Sequence, residues 1–284
     1  METVWRRKTM AFKDILVHVD NSPQCKARLE LAGILAQAQQ GHLIALNVRT
    51  RPLLPQFIAA QYGPEIDRVR EAFNAEAARE ARALFDTIRP AAGATTEWRD
   101  VDGDLVDTVA LHARYADLTI IGQGAHLDEG DRPLADSLIL DVGRPVLMVP
   151  DAGRFPTIGE RVLVAWNGSR EATRAVHDAL PILEQAKRVH VIAVNPQGGM
   201  AGHGDVPGAD ICLHLTRHGV NAVCEHVRAE DLNVGQMLLS RAADEDVDLI
   251  VMGAYGRSRL RELVLGGATR HMLRHMTVPV LMSH

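Results

Sequence analysis

Aromatic side chains are scarce in this chain: three Trp, three Tyr and five Phe supply only 4% of its 284 residues. Few flat surfaces are therefore on offer for stacking bases. Lys and Arg (31) fall short of Asp and Glu (36), so the formal net charge is -5 and no overall basic field attracts a phosphate backbone. Nucleic acid is not an expected partner. Long apolar runs are missing too; none approaches the roughly 20 residues that span a bilayer, so no membrane contact is expected. The opening METVWRRKTMAF carries basic charge but lacks the apolar core of a secretory signal, which makes cytoplasmic residence the expectation.

Cysteine is nearly absent. Cys25, Cys212 and Cys224 are odd in number and irregular in spacing, which argues against a disulfide framework and for reduced thiols that serve packing. Catalytic signatures are missing as well. There is no G-x4-G-K-[ST] phosphate loop, no G-x-G-x-x-G after the first strand of either half, and no G-x-S-x-G elbow. No catalytic nucleophile is named, and no base is placed to activate water, so any hydrolytic activity would be slow.

What is present is an internal repeat. Lys13 to Ser22 (KDILVHVDNS) lies against Glu160 to Ser169 (ERVLVAWNGS), 147 residues on; ADLTIIG ending at Gly122 matches VDLIVMG ending at Gly253; RPVLM ending at Met148 matches VPVLM ending at Met282. A period this long marks a duplicated domain, not a solenoid unit. The predicted domains are residues 1–152 and 153–284. In each, runs of Val, Ile and Leu alternate with longer amphipathic segments, the pattern of βαβ units and a parallel sheet, so the fold class is α/β.

Strands are predicted near 14–19, 43–48, 96–101, 117–121 and 145–149, then 161–166, 189–194, 223–228, 248–252 and 279–282. Ser22 and Pro23 predict the start of a helix running to Gln40, a second helix spans Glu65 to Ile88, and Ser169 starts a third that Pro181 should kink. A short helix is expected near Ala209 to His218. The glycine-rich stretch Pro196 to Gly208 is either a surface linker or a flap over a ligand.

The segment Met252 to Arg270 (MGAYGRSRLRELVLGGATR) places glycines at the end of a buried strand and a glycine pair at the start of a helix. Glycine allows a ligand close to the main chain, and free N–H groups at a helix start favour anions. The spacing of Gly253, Gly256 and Gly266 (G-x2-G-x9-G), with the strand and turn sequences twice in one order, resembles the universal stress protein family over nearly the whole chain.

The resemblance implies two open five-stranded parallel-sheet domains of order 3-2-1-4-5, of the adenine nucleotide alpha-hydrolase-like kind. It also implies a Rossmann-like ligand site at the carboxyl ends of the strands, and last strands that meet in an intrachain pseudo-dimer, with a homodimer also in view. Carried onto this chain, it implies binding of ATP or AMP by the C-terminal half. Ala165, Trp166 and Asn167 would form the first turn, Val194 would lie beside the adenine, and Met252, Gly253, Tyr255 and Gly256 would run along ribose and phosphates. Gly266, Gly267, Ala268 and Thr269 would hold the phosphates, with Mg²⁺ accompanying a triphosphate near Thr269 or Asn167. Asn167 stands where the family often has aspartate, and Gly267 where it usually has serine or threonine.

Arg257, with Arg259 and Arg261, is either a phosphate contact or a solvated stripe; Trp166 either packs or stacks on a base. The N-terminal half departs further: Asp128, Glu129, Asp131 and Asp136 outnumber Arg132 where the C-terminal half is basic. One nucleotide site per chain is the expectation. His271 and His275 are spaced for a metal but lack nearby acidic or cysteine ligands, and His203, Asp205, Cys212 and His214 make a weak zinc set. The functional expectation is a stress-response module that binds an adenine nucleotide and an unknown protein partner. The alternatives are a scaffold without nucleotide that works through dimerisation and partner binding, or a nucleotide-dependent transferase.

Overall fold

The computed structural model describes residues 11–50, 56–88, 94–126, 133–194, 208–228, 233–254 and 267–284. It divides into two compact units, Asp14–Pro156 and Thr157–His284, and the described residues 11–13 group with the second. The first unit contains strands β1 (Asp14–Val19), β2 (His42–Arg49), β3 (Thr95–Asp102), β4 (Leu118–Gly122) and β5 (Val146–Val149). Their order is β3-β2-β1-β4-β5 and every neighbouring pair is parallel. The second contains β6 (Arg161–Trp166), β7 (Arg188–Val194), β8 (Ala222–Val227), β9 (Leu249–Gly253) and β10 (Val280–Ser283), again parallel, in the order β8-β7-β6-β9-β10. Both units thus have the expected 3-2-1-4-5 sheet.

A parallel sheet covered on both faces needs strands without a polar side, and the central strands comply: β4 is buried at all five positions, and Val162, Leu163 and Val164 of β6 are fully buried. The helices are α1 (Cys25–Gln39), α2 (Gln56–Thr87), α3 (Leu105–Ala113), α4 (Leu134–Asp141), α5 (Arg170–Leu183), α6 (Ala209–Arg217), α7 (Val234–Asp244) and α8 (Gly267–His275). Among the described residues no helix is long and apolar enough to cross a membrane.

Ser169 caps α5 as expected, its hydroxyl accepting from Ala172 N at 3.1 Å. Pro181 lies inside that helix, which continues to Leu183. The start of α1 differs from expectation. Its first residue is Cys25, because the Ser22 amide and hydroxyl both donate to Asp20 Oδ1, at 3.0 and 2.5 Å, so that Ser22 belongs to the turn instead. Helix α2 starts at Gln56 and not Glu65, with the poor helix formers Gly63 and Pro64 inside it.

The repeated Asp before the fourth strand also acquires a reason. Asp248 accepts from the backbone N–H groups of Gly159, Glu160 and Arg161 at 3.0–3.1 Å, and Asp117 accepts from Asp14 N at 3.1 Å. Each carboxylate ties the fourth strand's start to the first strand's.

The reading of all three cysteines as free thiols is overturned. Cys212 in α6 and Cys224 in β8 are joined by a disulfide, their Cα atoms 6.2 Å apart, and only Cys25 is free and buried. Twelve residues of helix, turn and strand bring the two thiols together, a proximity that counting cysteines does not reveal.

Candidate functional site

In the C-terminal unit, strands β6, β7 and β9 end side by side, and the first turns of α7 and α8 close over their ends. Asn233 caps α7 through a reciprocal box with Gln236, and a Cβ placed on Gly267, the first residue of α8, would lie 3.7 Å from the Asn233 amide nitrogen. The two helix starts are therefore neighbours, and between them and the strand ends is a cavity of about 240 Å³.

Ala165, Trp166 and Asn167 line it from the end of β6, Val194 from β7, and Met252 and Gly253 from β9; Gly267, Ala268 and Thr269 line it from α8. Every sequence-predicted site residue that the structure describes is thus brought to one cavity. Tyr255, Gly256, Arg257 and Gly266 lie outside the described residues, as does all but Gly208 of the stretch Pro196 to Gly208 expected to be linker or flap.

Ile192, Val234 and Leu238 complete the wall and were not anticipated. Val234 and Leu238 are one turn apart on α7, just after the Asn233 cap; a helix-start signal followed by apolar i,i+4 residues marks them as a packed helix face without naming the wall they line.

None of these twelve lining residues carries a charge. Eight of the twelve are apolar side chains and Asn167 and Thr269 are polar, while backbone groups supply much of the remaining polar surface; α8 has no acidic residue in its first turn. Asn167 is held by its own turn, its Oδ1 accepting from Ser169 N at 3.1 Å. Gly253 is where the backbone must be bare: a Cβ there would come within 2.5 Å of Ala172 N and of the Glu171 carbonyl carbon, both in the first turn of α5.

The same place in the N-terminal unit has different chemistry. A cavity of about 360 Å³ is lined there by His18, Asp20, Arg28 and Asp151 among others. His18, Asp20 and Arg28 occupy the repeat positions of Ala165, Asn167 and Ala175. Arg28 is 2% exposed; its Nε donates to His18 O at 2.9 Å and its Nη2 lies 2.8 Å from Asp20 Oδ2.

Burial, aided by the Arg28 charge and opposed by Asp20, brings the His18 pKa down to about 4, so the ring is neutral at pH 7. Burial alone would raise the Asp20 carboxyl, but Arg28, His18 and the two Ser22 hydrogen bonds outweigh it and hold the group below the usual carboxylate range. At the helix over this cavity, Asp136 stands in the first turn of α4. A spacing of 134 residues, which aligns β5 with β10, puts Arg270 of α8 at that position. The two helix starts therefore differ in the sign of one charge.

The family model for the universal stress protein family matches residues 11–150 and again 159–284. The chain belongs to the universal stress protein family. It contains two such domains in tandem, and the family resemblance read from the sequence is borne out.

A universal stress protein from Synechocystis sp. is 50% identical over 38 residues, which are 13% of each chain. One from Methanocaldococcus jannaschii is 42% identical over 40 residues, 14% of this chain and 25% of the other. The chain thus aligns with a quarter or less of these relatives' lengths. In fold it is similar to the crystal structure of a universal stress protein from Archaeoglobus fulgidus, with a TM-score of 0.68 at 18% identity, covering 95% of this chain and 97% of that one.

His271 and His275 have ring centroids 4.5 Å apart, and His271 packs where Gly235 of α7 leaves room. Among the described residues no group of three His, Cys, Asp or Glu side chains is arranged to hold a metal ion.

Proposed function

We propose that this universal stress protein binds one adenine nucleotide, ATP or AMP, in its C-terminal unit and acts as a regulatory module of the stress response. The observation that carries this reading is the contrast between the two cavities. One has no charged side chain among its described lining residues and opens at the start of α8; the other contains an internal ion pair and lies under a helix with Asp136 in its first turn.

A purine is flat, mostly apolar on its faces and polar at its edges, which suits a wall of Val194, Ile192, Leu238 and Met252 with Asn167 at the rim. At about 240 Å³ the space is smaller than the roughly 300–1,000 Å³ of pockets for drug-sized ligands, so it suits base and sugar, with phosphates towards α8. There the N–H groups of Gly267, Ala268 and Thr269 are at a helix start, where backbone dipoles favour an anion. In the N-terminal unit a polyphosphate would meet Asp136 and Asp151 instead. Mg²⁺ would accompany ATP; Thr269 and Asn167 are the side chains suited to its outer contacts.

Titration with ATP and AMP, followed by calorimetry and native mass spectrometry, tests this. The expected stoichiometry is one per chain. Ala268→Asp, which places a carboxylate at the start of α8, should weaken binding by about tenfold or more, or about 1.4 kcal/mol. Two equal sites, or no stabilisation by any adenine nucleotide, would remove the reading; the second result would leave a scaffold.

A further inference from the structure

The C-terminal unit holds a second chemical feature away from the cavity. Cys212 is one turn into α6, with its backbone N–H bonded to Gly208 O at 3.0 Å, and Cys224 is in β8, an edge strand of its unit's sheet that pairs with β7. Both cysteines are half-buried, so a small molecule can reach them, and their Cα separation of 6.2 Å is within the range of about 4.4–6.8 Å that a disulfide spans.

Helix α6 rests lightly on the unit. Only Ile211 and Leu215 are buried, so the covalent link is a large share of what fastens it to the sheet. Breaking that link leaves the parallel ladder from β7 to β8 intact, since those hydrogen bonds involve only backbone.

We propose that Cys212 and Cys224 form a reversible thiol–disulfide site that fastens α6 to the edge strand when oxidised and frees it when reduced. The oxidant is a low-molecular-weight disulfide of the glutathione type. One cysteine loses its proton and its thiolate attacks the small disulfide; that S–S bond breaks, a mixed disulfide forms, and one small thiolate leaves and takes up a proton. The second cysteine, also deprotonated, then attacks the protein sulfur of the mixed disulfide and expels the second small thiol. In sum two cysteine thiols are oxidised to one disulfide while one small disulfide is reduced to two thiols. Excess small thiol runs the sequence backwards.

Cys25 serves as an internal control. It is 1% exposed at the first turn of α1, burial raises its thiol pKa, and it belongs to the other unit.

The full chain is equilibrated in glutathione buffers running from mostly reduced to mostly oxidised. Intact mass, peptide mapping and hydrogen exchange are then measured. The expected result is a single transition in which the protein loses two hydrogen atoms, the 212–224 link appears, and exchange in residues 209–217 slows by about tenfold or more. Cys212→Ser and Cys224→Ser should each stop at the glutathione adduct of the remaining cysteine. The double variant should exchange like reduced wild type in every buffer.

Failure of the link to form in the oxidising buffers would overturn the proposal. So would its survival in excess dithiothreitol with the fold intact, which makes it a permanent brace. Equal exchange across α6 in both states would overturn it as well. Neither mass nor exchange depends on a ligand in the cavity.

Discussion

Buried Arg28 and half-buried Asp20 form an ion pair, 2.8 Å from Nη2 to Oδ2, at the place where the second copy of the repeat has Ala175 and Asn167. The guanidinium also fills the space beside Gly122, at the end of β4, where a Cβ would meet its Nη1. One copy thus satisfies its first-turn residue internally with a cation, while the other uses a neutral amide that needs none.

Removing one partner should therefore be worse than removing both. Arg28→Ala leaves the Asp20 carboxylate with no cation beside it and is expected to cost about 2–4 kcal/mol, less than a wholly buried charge because Asp20 is one-third exposed. Arg28→Ala with Asp20→Asn copies the C-terminal pair and should recover at least half of that loss. Urea unfolding of both variants decides; equal destabilisation would show that packing, not charge, sets the cost.

His18 makes the stability of the N-terminal unit depend on pH. Its pKa is depressed to about 4 in the folded chain against 6.5 in the unfolded chain, so the unfolded chain takes up a proton first as pH falls. The contribution is fully present above about pH 6.5 and is lost between there and about pH 4, a change of about 3 kcal/mol. His18→Ala, the residue found at the matching position 165, should flatten that part of the profile. Parallel profiles for the variant and wild type would refute it.

Gly253 and Gly122 occupy matching positions but should respond differently to alanine. The added Cβ at 253 meets main-chain atoms of Glu171 and Ala172 that cannot move alone, whereas at 122 it meets only the end of the Arg28 side chain. Gly253→Ala is expected to cost about 1–3 kcal/mol in any background. Gly122→Ala should be costly in wild type, because it pushes the buried guanidinium off Asp20, and clearly less so in an Arg28→Ala background. Thermal unfolding in the two backgrounds checks both.

Asp248→Ala should destabilise the C-terminal unit by about 2–3 kcal/mol, because three backbone N–H groups lose a charged acceptor together. Amide exchange at Gly159, Glu160 and Arg161 should accelerate in that variant. Unchanged exchange would mean water replaces the carboxylate without penalty.

The strands were legible because a parallel sheet buried on both faces demands unbroken apolar runs. VDLIVMG and ADLTIIG became β9 and β4, each displaced from expectation by about one residue, since hydrophobicity marks a strand's middle better than its ends. Helix starts were less legible. Ser169 and Ser22 look alike in sequence, yet only the first caps its helix, because Asp20 competes for the Ser22 hydroxyl and Asn167 engages the Ser169 amide alone.

By itself the sequence determined the duplication, the α/β class and the strand positions, all of which follow from local hydrophobic pattern repeated at long range. The family resemblance carried by its glycine spacing implied the strand-end residues that line the C-terminal cavity, where the carboxyl ends of adjacent parallel strands converge. Only the tertiary structure decided that α7 supplies Val234 and Leu238, that Arg28 fills the N-terminal site, and that Cys212 meets Cys224. Those three depend on which side chains are neighbours across space, and chain spacing alone does not encode that.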